Sequence, residues 1–283
     1  MPDIVGIGEL LVDFTYVSGE NGDTFYKQNA GGAPANVMCM VAKLGAKTGF
    51  IGKIGRDMFG FYLKEVLTRH KVDTSGLILD PNYSTTLAFV RNSADGDRDF
   101  VFYRSSQTSA DLNLRYGEVN RQLIDSCKIF HFGSLSLTDE PSRTATVNAV
   151  EYAKMQEKIV TYDPNWRPHL WENKETAIRT MRSAAQYADI VKVSELELQL
   201  LSDSGALIPG VAKLLQMGVK IICVTQGAKG CIIATPKGIN RFPAYKTKTV
   251  DTLGSGDGFF GAFLYKFLET GKSIEELDSD DIK

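Results

Sequence analysis

Lys128-Ile129-Phe130-His131-Phe132 and Lys158-Ile159-Val160-Thr161-Tyr162 are short runs that are apolar almost throughout, and Arg143 to Gln156 between them carries apolar residues at helical spacing. The order is strand, helix, strand. Runs of this kind suit a parallel sheet covered on both faces, where no strand has a wet side toward which to alternate. The unit repeats in both directions along the chain. Asp3 to Gly8, Lys47 to Ile54, Ile190 to Val193, Val219 to Thr225 and Gly230 to Thr235 read as further strands. Ala35 to Leu44, Asp57 to Arg69, Glu175 to Ala188 and Gly258 to Leu268 read as helices, and Gly45 is placed to stop the first of them. The expected fold class is α/β.

One region breaks the rhythm. Thr85 to Val90 and Arg98 to Tyr103 read as strands with no helix between them, joined around Ala94-Asp95-Gly96-Asp97, an Asp-Gly hairpin signal. A hairpin cannot join neighbouring parallel strands, so this pair belongs to a separate small sheet, with Leu11 to Val17 and Thr24 to Gln28 as its expected partners. That sheet is expected to be a lid. The chain shows no linker rich in Pro, Gly or Ser, no repeat and no low-complexity tract. The expected organisation is therefore one domain over residues 1–283, with the lid, about 11–28 and 85–104, inserted in it.

In 283 residues, Lys and Arg total 32 against 34 Asp and Glu, a net charge of −2, which gives no general reason to expect nucleic acid or an anionic membrane as partner. A neutral or phosphorylated small molecule fits better. Hydrophobic residues at 43% and charged residues at 23% are ordinary globular usage, which excludes disordered, fibrous and collagen-like classes. No apolar run approaches the length of a membrane span, and Met1-Pro2-Asp3 lacks the basic start of a signal peptide, so the expected location is cytoplasmic. Cys39, Cys127, Cys223 and Cys231 stand singly in apolar segments without a CxxC, which reads as reduced thiols. None of His70, His131 and His169 lies near a GxSxG nucleophile motif, so a hydrolase triad has little support.

The strongest local signal is Asp251-Thr252-Leu253-Gly254-Ser255-Gly256-Asp257-Gly258, running directly into the helical stretch that ends at Leu268. A Gly-rich turn feeding a helix N-terminus offers unpaired N–H groups and the positive end of the helix dipole, a ready site for phosphate. Asp257 would face the same phosphate, an arrangement that suits a proton acceptor beside a transferring phosphoryl group. The plainer alternative makes Asp257 a helix cap. Gly31-Gly32-Ala33-Pro34-Ala35-Asn36 opens another helix, with Pro34 suited to the first turn and Asn36 one turn inside, where its amide can bind a sugar hydroxyl or serve no more than the helix start.

Other candidates lie near strand ends, where ligands gather in open α/β sheets. Asp13 follows the first strand, Asp163-Pro164-Asn165-Trp166-Arg167-Pro168 follows another, and Thr225-Gln226-Gly227-Ala228-Lys229-Gly230 a third. Each also reads as an ordinary turn. Ser194-Glu195-Leu196-Glu197 is a capping box, a role that can account for Glu197 entirely. Arg104 ends the second hairpin strand, either inward toward a ligand or as a solvated edge cation, and Phe100 and Phe102 read as lid packing. No Walker loop, protein-kinase motif set or GxGxxG is present, since Gly6-Ile7-Gly8 lacks the third glycine. Any use of a nucleotide must rest on another geometry.

Together these segments resemble the ribokinase-like (PfkB) carbohydrate kinases, and among them the fructokinases, from Ile4 to about Glu269. Gly31 to Asn36 matches one family signature. Asp251 to Gly258 matches the other, usually Asp-Thr-x-Gly-Ala-Gly-Asp, with Ser255 in place of Ala. The resemblance implies a ribokinase-like three-layer α/β/α fold, a mostly parallel central sheet, a small β-sheet lid, and transfer of the γ-phosphoryl group of ATP to a sugar hydroxyl with Mg²⁺. It implies that Asp257 is the base and that the N–H groups of Gly254, Ser255, Gly256 and Asp257 form the anion hole. Asp13, Gly31, Gly32 and Asn36 would contact sugar, while Arg104 and Arg167 would close over sugar and phosphates. Asn165, Lys192, Thr225, Gly227 and Gly230 would lie on the nucleotide side. Glu197 would help organise Mg²⁺ through water, although Ser194 stands where the family has Asn, and Asp251 and Thr252 would belong to a monovalent-cation (K⁺) site.

The implied substrate is fructose, with ribose, 2-keto-3-deoxygluconate or a nucleoside as alternatives and a non-catalytic sugar or nucleotide sensor as the rival from another class. The implied assembly is a homodimer through the lid. Family members usually continue for a further few tens of residues beyond the Ile282-Lys283 end, in a helix that walls the adenine and completes the cation site; either the sequence stops short of that tail or the chain is a curtailed member, and weakened ATP binding is expected only of the second.

Overall fold

The computed structural model describes residues 1–19, 21, 23–92, 98–247, 252–277 and 281. The strands are β1 (Ile4–Ile7), β2 (Leu11–Ser18), β3 (Thr24–Gly31), β4 (Thr48–Gly55), β5 (Val72–Asp80), β6 (Leu87–Asn92), β7 (Arg98–Tyr103), β8 (Ile129–Gly133), β9 (Ile159–Asp163), β10 (Ile190–Ser194), β11 (Ile221–Thr225), β12 (Cys231–Thr235) and β13 (Gly238–Phe242). The helices are α1 (Ala33–Leu44), α2 (Met58–Arg69), α3 (Arg121–Ser126), α4 (Ser142–Met155), α5 (Lys174–Ala185), α6 (Glu195–Ser202), α7 (Leu207–Gln216) and α8 (Ser255–Thr270).

Among the described residues, nine strands form one sheet in the order β13-β12-β11-β10-β9-β8-β1-β4-β5. It is parallel from β5 to β11, and β12 and β13 are added antiparallel at one edge. Side chains alternate across it and feed two cores. Ile4, Ile129, Ile190 and Ile221 join Val37 of α1, Leu63 of α2 and Phe260 of α8 on one face. Their neighbours Val5, Phe130, Val191 and Ile222 join Ala149 of α4, Met181 of α5, Leu198 of α6 and Leu214 of α7 on the other. Both faces are dry, which is why the strand sequences read as near-continuous apolar runs.

The hairpin strands stand apart, as expected, in a small sheet ordered β3-β2-β6-β7. The Asp-Gly turn between β6 and β7 lies outside the described residues. Asp13, Ala88 and Phe102 are cross-strand neighbours and so share one face of this sheet; Phe14, Phe89 and Val101 share the other.

Two boundaries differ from the sequence reading in ways that matter for the site. The helix expected from Gly258 begins at Ser255, which brings Asp257 inside its first turn. The strand β3 runs on to Gly31, so it nearly touches α1. In the sheet, β1 is flanked by β4 on one side and β8 on the other. That is a topological switch point, where the connections diverge and leave a crevice beyond the carboxyl ends of the strands.

Candidate active site

Two helix starts meet over that crevice. The cap of α1 is Gly32, whose φ of 111° is unfavourable for an L side chain and whose Cβ would lie 2.4 Å from the carbonyl oxygen of Glu9. The cap of α8 is Gly254, left-handed at φ 71°, with no side chain to bond the helix start. A helix end leaves its first N–H groups without an intrahelical acceptor. Here the Ser255 N–H turns back to the Thr252 carbonyl at 3.1 Å, and the Gly258 N–H reaches the Gly254 carbonyl at 2.8 Å. Gly256 and Asp257 lie between them, at the positive end of the helix.

Asp257 is the third residue of α8 and is not its cap, which removes the plainer alternative for it. Its Oδ2 accepts a hydrogen bond from Asn36 Nδ2 at 2.8 Å, so the two helix starts are tied together at the carboxylate. Burial and the nearby Asp163 push the Asp257 carboxyl up to about 6, against the pull of Asn36, Lys192 and Arg167. Asp13 on β2 is likewise raised to about 6, chiefly by burial, with Arg167 opposing and Asp257 adding to the rise.

Beneath the α8 start, Lys192 Nζ is 2.9 Å from Asp163 Oδ2, and both side chains are buried. A Cβ at Gly256 would come within 2.9 Å of the same Nζ, so glycine there lets the lysine approach the helix end. Burial works to discharge Lys192, but Asp163, Glu197 and Asp257 outweigh it and lift the ammonium to about 12. It stays charged. Asp163 heads a turn named from the sequence but was given no role there; its second oxygen accepts from the Asn165 N–H at 3.1 Å, which fixes the turn after β9.

A cavity of about 680 Å³ gathers Asp13, Gly32, Asn36, Asn165, Arg167, Lys192, Thr252, Gly254, Ser255, Gly256 and Asp257. Phe100 and Phe102 line it too, which corrects their reading as lid packing, and the Arg167 guanidinium sits 5.7 Å from the Phe100 ring centre. Gly31 instead borders a neighbouring cavity of about 360 Å³.

The remaining candidates lie elsewhere. Arg104, expected to close over a ligand, is spent on the protein: Nε bonds Asp111 at 2.7 Å, Nη1 bonds Thr138 at 2.9 Å and Nη2 bonds the Leu135 carbonyl at 3.0 Å. It fixes the segments around Asp111 and Leu135. Glu197 is also engaged, accepting from Trp166 N–H at 2.8 Å, Ser194 N–H at 2.7 Å and Ser194 Oγ at 2.8 Å. It closes the capping box of α6 and anchors the loop that carries Arg167. Thr225 Oγ1 donates to the Val193 carbonyl, and Gly227 and Gly230 shape the turn between β11 and β12; none of the three is on the cavity wall. Asp251 lies outside the described residues.

Among the described residues no group of three His, Cys, Asp or Glu could hold a metal ion alone. A carboxylate has about four acceptor directions, so Glu197 retains one at Oε1 that suits a water carried by Mg²⁺. The residues fit a metal brought in with phosphates and touched through water.

The arrangement matches known proteins over its whole length. The pfkB family carbohydrate kinase pattern covers residues 1–277. The chain belongs to the pfkB family of carbohydrate kinases. Within that family it is similar to "Probable fructokinase-5" of Arabidopsis thaliana, 43% identical over 281 residues that make up 97% of this chain and 86% of the relative. The fructokinase of Xylella fastidiosa, solved with bound ATP, superposes with a TM-score of 0.86 at 31% identity, over 98% of this chain and 83% of that one. A double mutant of the fructokinase of Vibrio cholerae O395, solved with fructose, ADP and potassium ion, gives 0.87 at 30% identity over 99% and 87%. The ribokinase-like fold expected from the sequence is thus the fold of these family members.

Proposed function

We propose that this pfkB family member transfers the γ-phosphoryl group of ATP to a hydroxyl of fructose, giving fructose 6-phosphate. The observation that carries this reading is Asp257: a buried carboxylate, held by Asn36, in the first turn of a helix whose cap has no side chain. The fructokinase relatives and the ligands in the Xylella and Vibrio structures support the choice of sugar and nucleotide.

Asp13, Gly32 and Asn36 face the sugar, and Asp257 orients the reacting hydroxyl and takes its proton. Phosphoryl transfer needs little covalent help, so most of the acceleration comes from positioning and charge stabilisation. The N–H groups at the α8 start and the charged Lys192 face the phosphoryl oxygens, and Arg167 spans sugar and phosphates. Asn165 on the cavity wall, and Thr225, Gly227 and Gly230 beyond it, flank the nucleotide. Mg²⁺ would supply further neutralisation of phosphate charge, with Glu197 to hold it through water, and Thr252 would belong to the K⁺ site expected with Asp251.

The small sheet acts as the lid of a single domain. Its outer face carries Tyr26, Val101 and Tyr103, exposed at 49%, 56% and 66%, and supports a homodimer through the lid; light scattering that gives a monomer mass removes this assembly. The four free cysteines support a reducing, cytoplasmic location.

The test of the activity is ADP release from Mg-ATP with fructose, ribose, 2-keto-3-deoxygluconate, adenosine or no sugar. A clear fructose preference supports the reading. Preference for another acceptor replaces the sugar but keeps the chemistry, and silence with all of them rejects a kinase.

A further inference from the structure

Glu9 is used by none of these steps, yet it sits at the switch point between β1 and β2 with a relative exposure of 1%, on the wall of the main cavity. Its two oxygens have different fates. Oε1 accepts a hydrogen bond from the Ala33 N–H at 2.9 Å, across 24 residues of chain. Oε2 is buried with no hydrogen-bond partner among the described residues.

The first contact repairs a defect built into α1. A helix start normally takes its cap bond from a Ser, Asp or Asn side chain at the cap. Position 32 has to be Gly, and Gly32 has no side chain to offer. Pro34 at the second helical position has no N–H to cap, and Glu9 supplies from outside an acceptor for the first helical N–H, that of Ala33, while its own backbone carbonyl packs against Gly32. From Gly32 the connection runs on: the Asn36 N–H bonds the Gly32 carbonyl at 2.9 Å, and the Asn36 amide holds Asp257.

We infer that Glu9 is a positioning residue of the sugar site, a remote cap that fixes the start of α1 and, through Gly32 and Asn36, the direction in which Asp257 presents its carboxylate. The inference rests on the sugar-kinase reading above. The neutral acid fits this place better than the carboxylate. Burial lifts the Glu9 carboxyl to about 7, with Asp111 adding to the rise, against the pull of its own backbone N–H, Arg104 and the Ala33 N–H. Once ionised, Glu9 puts a second buried negative charge near Asp111, and the Arg104 guanidinium is already bonded to Asp111, Thr138 and Leu135, so the charge is poorly compensated and disturbs the turn that holds it.

The test compares wild type, Glu9→Ala and Glu9→Gln by steady-state kinetics and by calorimetric fructose binding at pH 6.5 and 8.5. Glu9→Ala should raise the fructose KM and Kd about tenfold and lower kcat by about threefold, with the ATP KM moving less than about twofold. Glu9→Gln keeps the acceptor and lacks the charge, so it should stay within about twofold of wild type at pH 6.5. At pH 8.5 wild type should lose fructose affinity relative to Glu9→Gln; Asp13 and Asp257 titrate in both proteins and cancel in that ratio. Wild-type fructose constants in Glu9→Ala, or equal losses for fructose and ATP, overturn the inference. If Glu9→Ala does not fold, the other two proteins decide, and superimposable pH profiles overturn it. A wild type that binds and phosphorylates fructose normally while the variants match it defeats only the Glu9 role. A wild type that does neither defeats the kinase reading and the inference with it.

Discussion

Two acids occupy the same position in two helices of this protein and meet opposite fates. Glu197 is the third residue of α6 and Asp257 the third residue of α8. The cap of α6 is Ser194, and Glu197 turns back onto it in a capping box while also accepting from Trp166. The cap of α8 is Gly254, so nothing there calls Asp257 back. Its carboxylate faces the cavity and Asn36. The difference lies in one residue three positions upstream: a hydroxyl at the cap recruits the acid to structure, and a glycine releases it for chemistry.

The sharpest way to break this comparison is Asp257→Asn, which should lower kcat by about a thousandfold while fructose binding survives. Turnover near wild type would remove the base assignment. The same variant should be more stable than wild type. The folded-state value is raised from 3.8 to about 6, so the fold favours the protonated acid, and stability falls as pH climbs through that window. Asn carries no such penalty. Asp257→Asn should therefore melt higher by roughly 4 °C at pH 8, with the gap closing toward pH 4. A lower Tm at pH 8 would count against a strained, functional acid.

Glu197→Ala should move stability in the other direction, losing the capping box and the Trp166 tether for about 2 kcal/mol, seen in urea unfolding. Its half-saturating Mg²⁺ should rise about tenfold, and an unchanged Mg²⁺ titration would leave Glu197 with structure alone. Asn36→Ala probes the tie between the helix starts. Removing a donor that lowers the Asp257 value raises it further, so the acid limb of kcat should move to higher pH and the rate at pH 6.5 fall about fivefold. An acid limb at the wild-type position would mean that Asn36 serves only the sugar. Phe100→Ala is the mildest change. Losing its ring contact with Arg167 should raise the fructose KM about threefold and leave melting unaltered.

Much of this was legible in the chain because the signals were local. Apolar runs such as Lys158 to Tyr162 announce buried parallel strands, the gap in rhythm at Thr85 to Tyr103 announces the second sheet, and the glycines around Ser255 announce the helix start. The strand β5 was harder, because Asp73, Ser75 and Gly76 interrupt its apolar pattern. Site residues were missed where their meaning comes from a distant partner. Asp163 matters because Lys192, 29 residues on, ends beside it, and Glu9 because the Ala33 N–H, 24 residues on, bonds to it. Arg104 was misjudged for the same reason: its end-of-strand position suggests freedom, and only the fold brings Asp111, Thr138 and Leu135 to its guanidinium.

The small sheet and the helix start that holds Asp257 are also wired together through the backbone. β3 ends at Gly31 and α1 begins at Ala33, so Gly32 is the sole joint between them. A tilt of the sheet has one residue in which to dissipate before its torque arrives at Asn36 and Asp257. The lever is short, and under the proposed function it would make closure over a sugar and alignment of the base a single mechanical event.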